Sequence, residues 1–420
     1  MPEELQPQSN FAGQTDEERA VATSASGEAQ DEFVGDDDVE QVIDEAADGD
    51  VHMDDDDNDD DEEAAHEGEA SGAADDMEEF EDDSVQGFFA HKEPVYAIAA
   101  HPSIPYLAAS GGGDDKAYLW RSDTGEQLFE LAGHTDSVTA LAFSADGQYV
   151  ASGGMEGKVN VWKVQTGELA VTLEGPEEVE WVTWHPKGNV VLAGAHDSTV
   201  WMWMVPSGAC MNVFAGHSGS VTCGRFTHDG KGLVTGSEDG SLIIWDPKTA
   251  AATLRFTGDD ARFHDEMITS LAINHDDTIV LTGSTDKSAR LVHLHSGNIL
   301  GALDNHTDSI ETVDFCNTMP LAVTGSLDNT ASIWDVTTMR LRQTVQHDGA
   351  VIRAKWLQDT PLLATCSADC TVRLWDGRSG QCERTWRGHQ ETVLDFALSC
   401  DGNTLVTASD DGVSLVFRRG

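Results

Sequence analysis

Positive charge is scarce in this sequence. Its 420 residues include 24 Lys and Arg against 76 Asp and Glu, a formal net charge of −52. Residues 1–83 hold 34 acids and a single base, Arg19, and residues 84–420 still carry 42 acids against 23 bases. Such a chain repels phosphate, which argues against direct binding of nucleic acid. Long apolar runs are missing too. No stretch of 18 apolar residues occurs, so no membrane span is expected. The opening MPEELQPQSN lacks the basic-then-apolar pattern of an export signal. Cysteine is sparse and odd in number: Cys210, Cys223, Cys316, Cys366, Cys370, Cys382 and Cys400. Together these point to reduced thiols in the cytoplasm or nucleus. The pair Cys366 and Cys370 has no second ligand pair at zinc-site spacing, so no metal or other cofactor is expected. Aromatics are nearly lacking from residues 1–83. That stretch cannot bury enough apolar surface to fold alone and reads as a disordered acidic tail. Its run Asp54–Glu63 is self-repelling. The patch Phe33–Ile43 could order on a partner, although plain disorder is the simpler reading.

What the sequence has in abundance is a repeat. The stretch Gly216–Asp246 reads GHSGSVTCGRFTHDGKGLVTGSEDGSLIIWD. It opens on Gly-His and closes on Trp-Asp. Three short apolar runs lie between, punctuated by Asp229-Gly230 and Asp239-Gly240 as turns. The closing position recurs at Trp120, Trp162, Trp203, Trp245, Val292, Trp334, Trp375 and Phe417, at intervals of 42, 41, 42, 47, 42, 41 and 42. An acid precedes each by six residues. The opening His recurs at His91, His134, His217, His264, His306, His347 and His389. This is the pattern of a WD repeat, one four-stranded propeller blade of about 40–45 residues. Eight units over residues 84–420 predict an all-β, eight-bladed WD-repeat β-propeller. The last unit supplies only three strands, so Val85–Ala90 is expected to complete it as a clasp.

The recurring polar residues read as scaffolding. His217, Asp239, Ser241 and Trp245 can link into one hydrogen-bonded chain, as can His306, Asp328, Thr330 and Trp334, and His347, Asp369, Thr371 and Trp375. The first, second and last units lack the Ser/Thr, the fifth lacks the Trp, and the third has Gly175 in place of the His. Those blades are expected to rely more on apolar packing. The long fourth interval comes from Gly258–Asp265, a connection on the face where propellers commonly bind partners.

No catalytic constellation emerges, and the protein is expected not to be an enzyme. The glycine-rich Gly111–Asp115 lacks the Lys-Ser/Thr of a phosphate loop. No nucleophile elbow, HExxH or paired CxxC occurs. A propeller hydrolase therefore has no site to work with. The set positions for partner contacts lie at the inner-strand entrance and before the repeat acid. At these 24 places stand Glu178, Glu180, Glu238, Glu311 and Asp410, and no Lys or Arg. With Tyr96 and Trp181 beside them, they suit an Arg/Lys-rich peptide through charge-assisted bonds and cation–π contacts.

Several segments are more particular: GGGDDKAYLW (Gly111–Trp120), LAGHTDSV (Leu131–Val138), VEWVTWHP (Val179–Pro186), LAGAHDSTVWMWMV (Leu192–Val205), MPLA (Met319–Ala322), RLWDGR (Arg373–Arg378) and GHQETVLDFALS (Gly388–Ser399). In these, and in its acidic N-terminus, the chain resembles the family of the angio-associated migratory cell protein and its fungal counterpart, a dedicated ribosomal-protein chaperone. The resemblance implies a client: the basic N-terminal segment of a late-joining large-subunit ribosomal protein, bound in the cytoplasm and released at the 60S precursor. A monomer is expected, with no membrane contact. The alternative is a general scaffold in signalling and cell migration, or a ubiquitin-ligase substrate receptor.

Overall fold

The computed structural model describes residues 81–420. Residues 1–80, with the run Asp54–Glu63 and the patch Phe33–Ile43, lie outside the described residues. No helix occurs among those described; all regular structure is β.

Eight four-stranded antiparallel sheets follow one another. We call them blades 1–8 and their strands a to d from the axis outward. Blade 1 runs Val95–Ala100, Leu107–Gly112, Lys116–Arg121 and Gln127–Ala132. Blades 2–7 repeat this order. Blade 8 takes strands a to c from Val393–Leu398, Thr404–Ser409 and Ser414–Arg418. Its fourth strand is Gln86–Phe88, paired antiparallel with Ser414–Val416. The ring thus closes by the predicted clasp. Asp83 reinforces it: its backbone N–H donates to Arg387 O, and its carboxylate accepts from Arg387 N, both at 2.9 Å.

Burial follows from stacking. Strand b lies between neighbours on both faces, so Leu107–Gly112 and Leu362–Ser367 are buried at every position. Outer strands such as Gln127–Ala132 are largely exposed. There is no single central core. Eight apolar clusters fill the eight seams between blades. One holds Trp184 and Trp203 between blades 2 and 3; another holds Phe396 and Phe417 between blades 7 and 8. Seams this tight need glycine near the end of strand b. A Cβ on Gly153 would come within 2.5 Å of Val179 in the next blade, and one on Gly283 within 2.6 Å of Ile310. At the far end, histidines staple neighbours. His101 Nδ1 accepts from the Ile104 backbone N–H, which leaves Nε2–H to donate to Gly147 O at 3.0 Å. His185 repeats this with Gly230 O at 3.1 Å.

Candidate functional site

The polar network of blades 4, 6 and 7 differs in one link from the expected chain. In blade 4, His217 Nδ1 meets Ser241 Oγ at 2.8 Å and lies 3.5 Å from Asp239. Its Nε2, however, meets Thr235 Oγ1 at 2.7 Å, and the Trp245 indole N–H donates to that same oxygen at 2.8 Å. Ser241 does not touch Trp245; the strand-b hydroxyl joins His to Trp. Blades 6 and 7 agree. Thr324 joins His306 to Trp334, and Thr365 joins His347 to Trp375. There Thr330 bonds Asp328 and meets His306 Nδ1 at 3.2 Å, as expected, and Thr371 bonds Asp369, but neither touches the Trp. Blade 2, expected to be incomplete, has this arm intact: Ser152 joins His134 to Trp162. Its deficit lies at the acid, Glu156, one of whose oxygens is buried without a partner, and at the Asn160 amide nitrogen, which is likewise unpartnered. Burial works to raise the carboxyls of Asp239, Asp328 and Asp369. Hydrogen bonds from histidine, hydroxyls and backbone N–H groups outweigh it and hold all three below the ordinary range.

Blade 3 lacks both the His and the strand-b hydroxyl. Trp201 fills the gap. It stacks on Trp203 at 5.9 Å, donates to Thr199 Oγ1 at 2.8 Å, and lies over Gly175. A Cβ there would meet the indole at 2.4 Å, and Gly175 has φ +144°, so the site requires glycine.

The face itself is built by a β-bulge. In seven blades the register of strand a slips just after its first residue, between Val95 and Ala97 in blade 1 and likewise around the ring. The skipped residues include Tyr96, Glu180 and Glu311. A bulge frees its residue from the ladder and re-aims it. In every blade, bulged or not, the residue before the repeat acid donates its N–H to the strand-a entrance: His196 to Glu178 O at 3.0 Å, Glu238 to Ser220 O at 2.9 Å, Asp410 to Thr392 O at 3.0 Å. Both sets of positions therefore lie at one mouth of the ring.

The acids group rather than spread evenly. Glu178, Glu180 and Glu238 share the junction of blades 3 and 4, where Ser220 Oγ donates to Glu180 at 3.1 Å and His196 lies 3.7 Å away. Glu311, on blade 6, accepts from Ser309 Oγ at 2.7 Å. Asp410, on blade 8, has its carboxyl pushed up by burial and by the neighbouring Asp411. Near it the blade 8 turn at Gly412 abuts the backbone of Glu93, beside Tyr96, which is 38% exposed. Glu93 thus adds an acid to this rim. It sits one residue outside the set positions, so the positional rule passed it over. Trp181 has another task. Its indole N–H donates to Val221 O at 2.8 Å, and its ring is held against Gly194 and Gly224. Thr139 is used in the same way, donating to Val179 O at 2.9 Å, as are Thr222 to Ile268 O and Thr269 to Ile310 O. These four side chains latch neighbouring blades. The long loop Gly258–Asp265 is anchored by Phe263, buried against Phe256 at 5.4 Å. Cys366 lies in the seam, its thiol pushed up to about 12 by burial.

An eight-bladed ring with this His–hydroxyl–Trp stitching defines a WD-repeat protein, and the chain belongs to that family: the WD domain, G-beta repeat, matches residues 83–121, 125–163, 167–204, 208–246, 261–293, 297–335, 339–376 and 380–417. Within it the chain is similar to the angio-associated migratory cell protein of Homo sapiens, at 38% identity over 351 residues and 80% of each chain. It is 28% identical to the ribosome assembly protein SQT1 of Saccharomyces cerevisiae, over 82% of this chain and 89% of that protein. Among solved structures it matches Sqt1 of Chaetomium thermophilum bound to the N-terminus of ribosomal protein L10. The TM-score is 0.76 and the identity 30%, covering 80% of this chain and all of that one.

Proposed function

We propose that the protein is a dedicated chaperone without enzymatic activity. It binds the basic N-terminal segment of a late-joining large-subunit ribosomal protein and aids 60S assembly. The observation that carries this reading is the absence of Lys and Arg from the 24 set positions at the mouth of the ring, with Glu180 and Glu311 on bulges and Glu178, Glu238 and Asp410 on the same rim. The similarity to Sqt1 bound to the L10 N-terminus supports it. The carboxylates neutralise Arg and Lys side chains that otherwise seek RNA. Association is electrostatically steered and weakens with salt. We place the protein in the cytoplasm, as a monomer.

The test is calorimetric titration with an L10 N-terminal peptide at about 100 mM salt, where the Debye length is about 10 Å. Each exposed contact contributes about 0.5–1 kcal/mol, and reversal adds repulsion to the loss. Glu180→Lys with Glu311→Lys abolishes binding and leaves the melt nearly unchanged. The same reversal at Glu168 and Glu383, on a c–d connection and an outer strand, matters little. Equal loss in both double mutants would mean that the acidity acts only as a diffuse field.

A second reading, a scaffold in signalling and cell migration or a ubiquitin-ligase substrate receptor, is favoured by one comparison. Identity to the human migratory protein is 38%, against 28% to yeast SQT1. Pull-down at low and high salt separates the two: one ribosomal protein lost with salt supports the chaperone, and neutral partners retained at high salt support the scaffold.

A further inference from the structure

The bulge that takes Glu180 and Glu311 out of the ladder recurs in blades 7, 8 and 1, and the residues it frees there are Ile352, Leu394 and Tyr96. In blades 2 and 5 the corresponding Thr139 and Thr269 are spent on a bond to the next blade. Ile352, Leu394 and Tyr96 carry no such latch. Ile352 packs on the apolar seam between blades 7 and 8 and stays half-buried, as does Leu394. Tyr96 is 38% exposed, and its ring lies beside Gly113.

The second set of mouth positions continues this surface. On blade 7 Ala368 donates its N–H to Ala350 O at 2.9 Å, so all three set positions of that blade are apolar. On blade 6 Leu327, also 38% exposed, donates to Ser309 O at 2.9 Å. The mouth is therefore divided. Blades 3 and 4 hold Glu178, Glu180 and Glu238; from blade 6 through blade 1 runs an apolar sector, with Glu311, Asp410 and Glu93 standing in or beside it. Arg353, next below Ile352, is turned to Asp395 at 3.5 Å. Beneath the mouth, Glu180, Asp314, Asp359 and Asp401 line a cavity of about 1030 Å³ together with Arg225, Arg353, Lys355 and Arg419. Neither sign is in excess there, so selection falls to the rim.

We propose that the apolar sector takes a bulky apolar side chain of the partner segment, set between the basic residues that the carboxylates hold. The inference rests on the reading of the mouth as a site for a basic segment, and it narrows that segment to one in which Leu, Phe or Tyr stands between Arg or Lys. A segment basic throughout would lay solvated cations over Ile352 and Leu394 and gain nothing from their surface. An apolar side chain there removes area from water on both partners. A second copy of this chain is a poor occupant, because it would bring Glu311, Asp410 and Glu93 against like charges. The division also serves discrimination: carboxylates alone accept any basic tail, and the apolar sector rejects those without an anchor.

Two synthetic peptides of equal charge test this, one with Phe between two Arg pairs and the other with Ser in its place. Each is titrated calorimetrically into the full chain at about 100 and about 300 mM salt. The Phe peptide is expected to bind at least about tenfold tighter. Both affinities fall with salt while their ratio holds, since apolar burial is not screened. Ile352→Ser with Leu394→Ser brings the ratio close to one and leaves the Ser peptide's affinity unchanged. If that variant fails to fold, Tyr96→Ser with Leu327→Ser, at two exposed side chains, carries the same comparison. Equal binding of the two peptides by the parent overturns this inference and leaves the basic-segment reading standing; binding of neither overturns both. A dimer seen in sedimentation and lost in Ile352→Ser would give the sector to a second copy and overturn the proposal.

Discussion

Thr235 holds together the polar seam of blade 4. Its hydroxyl serves His217 and Trp245 at once, and all three residues are buried or nearly so. Thr235→Val keeps the shape and strips both partners of their bond, which costs about 2–4 kcal/mol for two unsatisfied buried groups. Ser241→Ala leaves Asp239 near His217 Nδ1 and costs under about 1 kcal/mol. Urea titrations of the two variants check this order; a larger loss at Ser241 would return the key role to the turn. The hydroxyl was legible in the sequence. A Ser or Thr stands ten residues before the closing position in every unit except the third, where Ala193 occupies it and the His is also missing. Trp201 over Gly175 was not legible, because a tryptophan in a WMWM run gives no sign of which one lies over a neighbouring turn.

At the scale of the strand, the clasp gives a sharp expectation. Removing residues 1–80 leaves Gln86–Phe88 and the Asp83–Arg387 bonds in place. Removing residues 1–91 also takes away Phe88, which stacks on Trp120 at 4.8 Å, and His91 of blade 1. The shorter truncation melts close to the full chain and the longer one well below it. Equal melts would mean that the ring does not depend on its clasp. Blades 1 and 2 also carry a pH signature. Burial lowers the imidazoles of His91 and His134 below 6.5, against the pull of Asp114 and Glu156. The unfolded chain takes up these protons and the folded one resists, so their contribution is full above about pH 6.5 and is lost as pH falls. Hydrogen exchange between pH 7.5 and 5.5, corrected for intrinsic rate, is expected to show protection falling in Leu107–Gly112 and Tyr149–Gly154. Unchanged protection there would contradict the assignment. The strand count and the clasp followed from spacing alone. The bulges did not: a one-residue slip leaves the apolar pattern intact, yet it takes Glu180 and Glu311 out of the ladder, and with them Thr139 and Thr269, which bond the next blade.

At the scale of the whole molecule, the two ends of the charge argument come apart. Excess acid was evident from composition, and the rim at blades 3 and 4 agrees with the positional rule. Trp181 stands beside carboxylates, where an aromatic suits a cation, yet in the fold its N–H is committed to blade 4. The charged lining of the axial cavity was invisible for another reason: Arg225, Asp314, Arg353 and Lys355 are distant or unremarkable in sequence, and only the closure of the ring brings them to one axis. That closure also sets a timetable. Of the described strands Gln86–Phe88 is synthesised first, and its partner Ser414–Arg418 last. At about 5–20 residues per second, translation separates the two by on the order of half a minute. For that interval the nascent chain is an open arc with an unpaired edge at each end. A ribosome paused within blade 8 prolongs it, so the ring is most exposed to wrong pairing just before its eighth blade is complete.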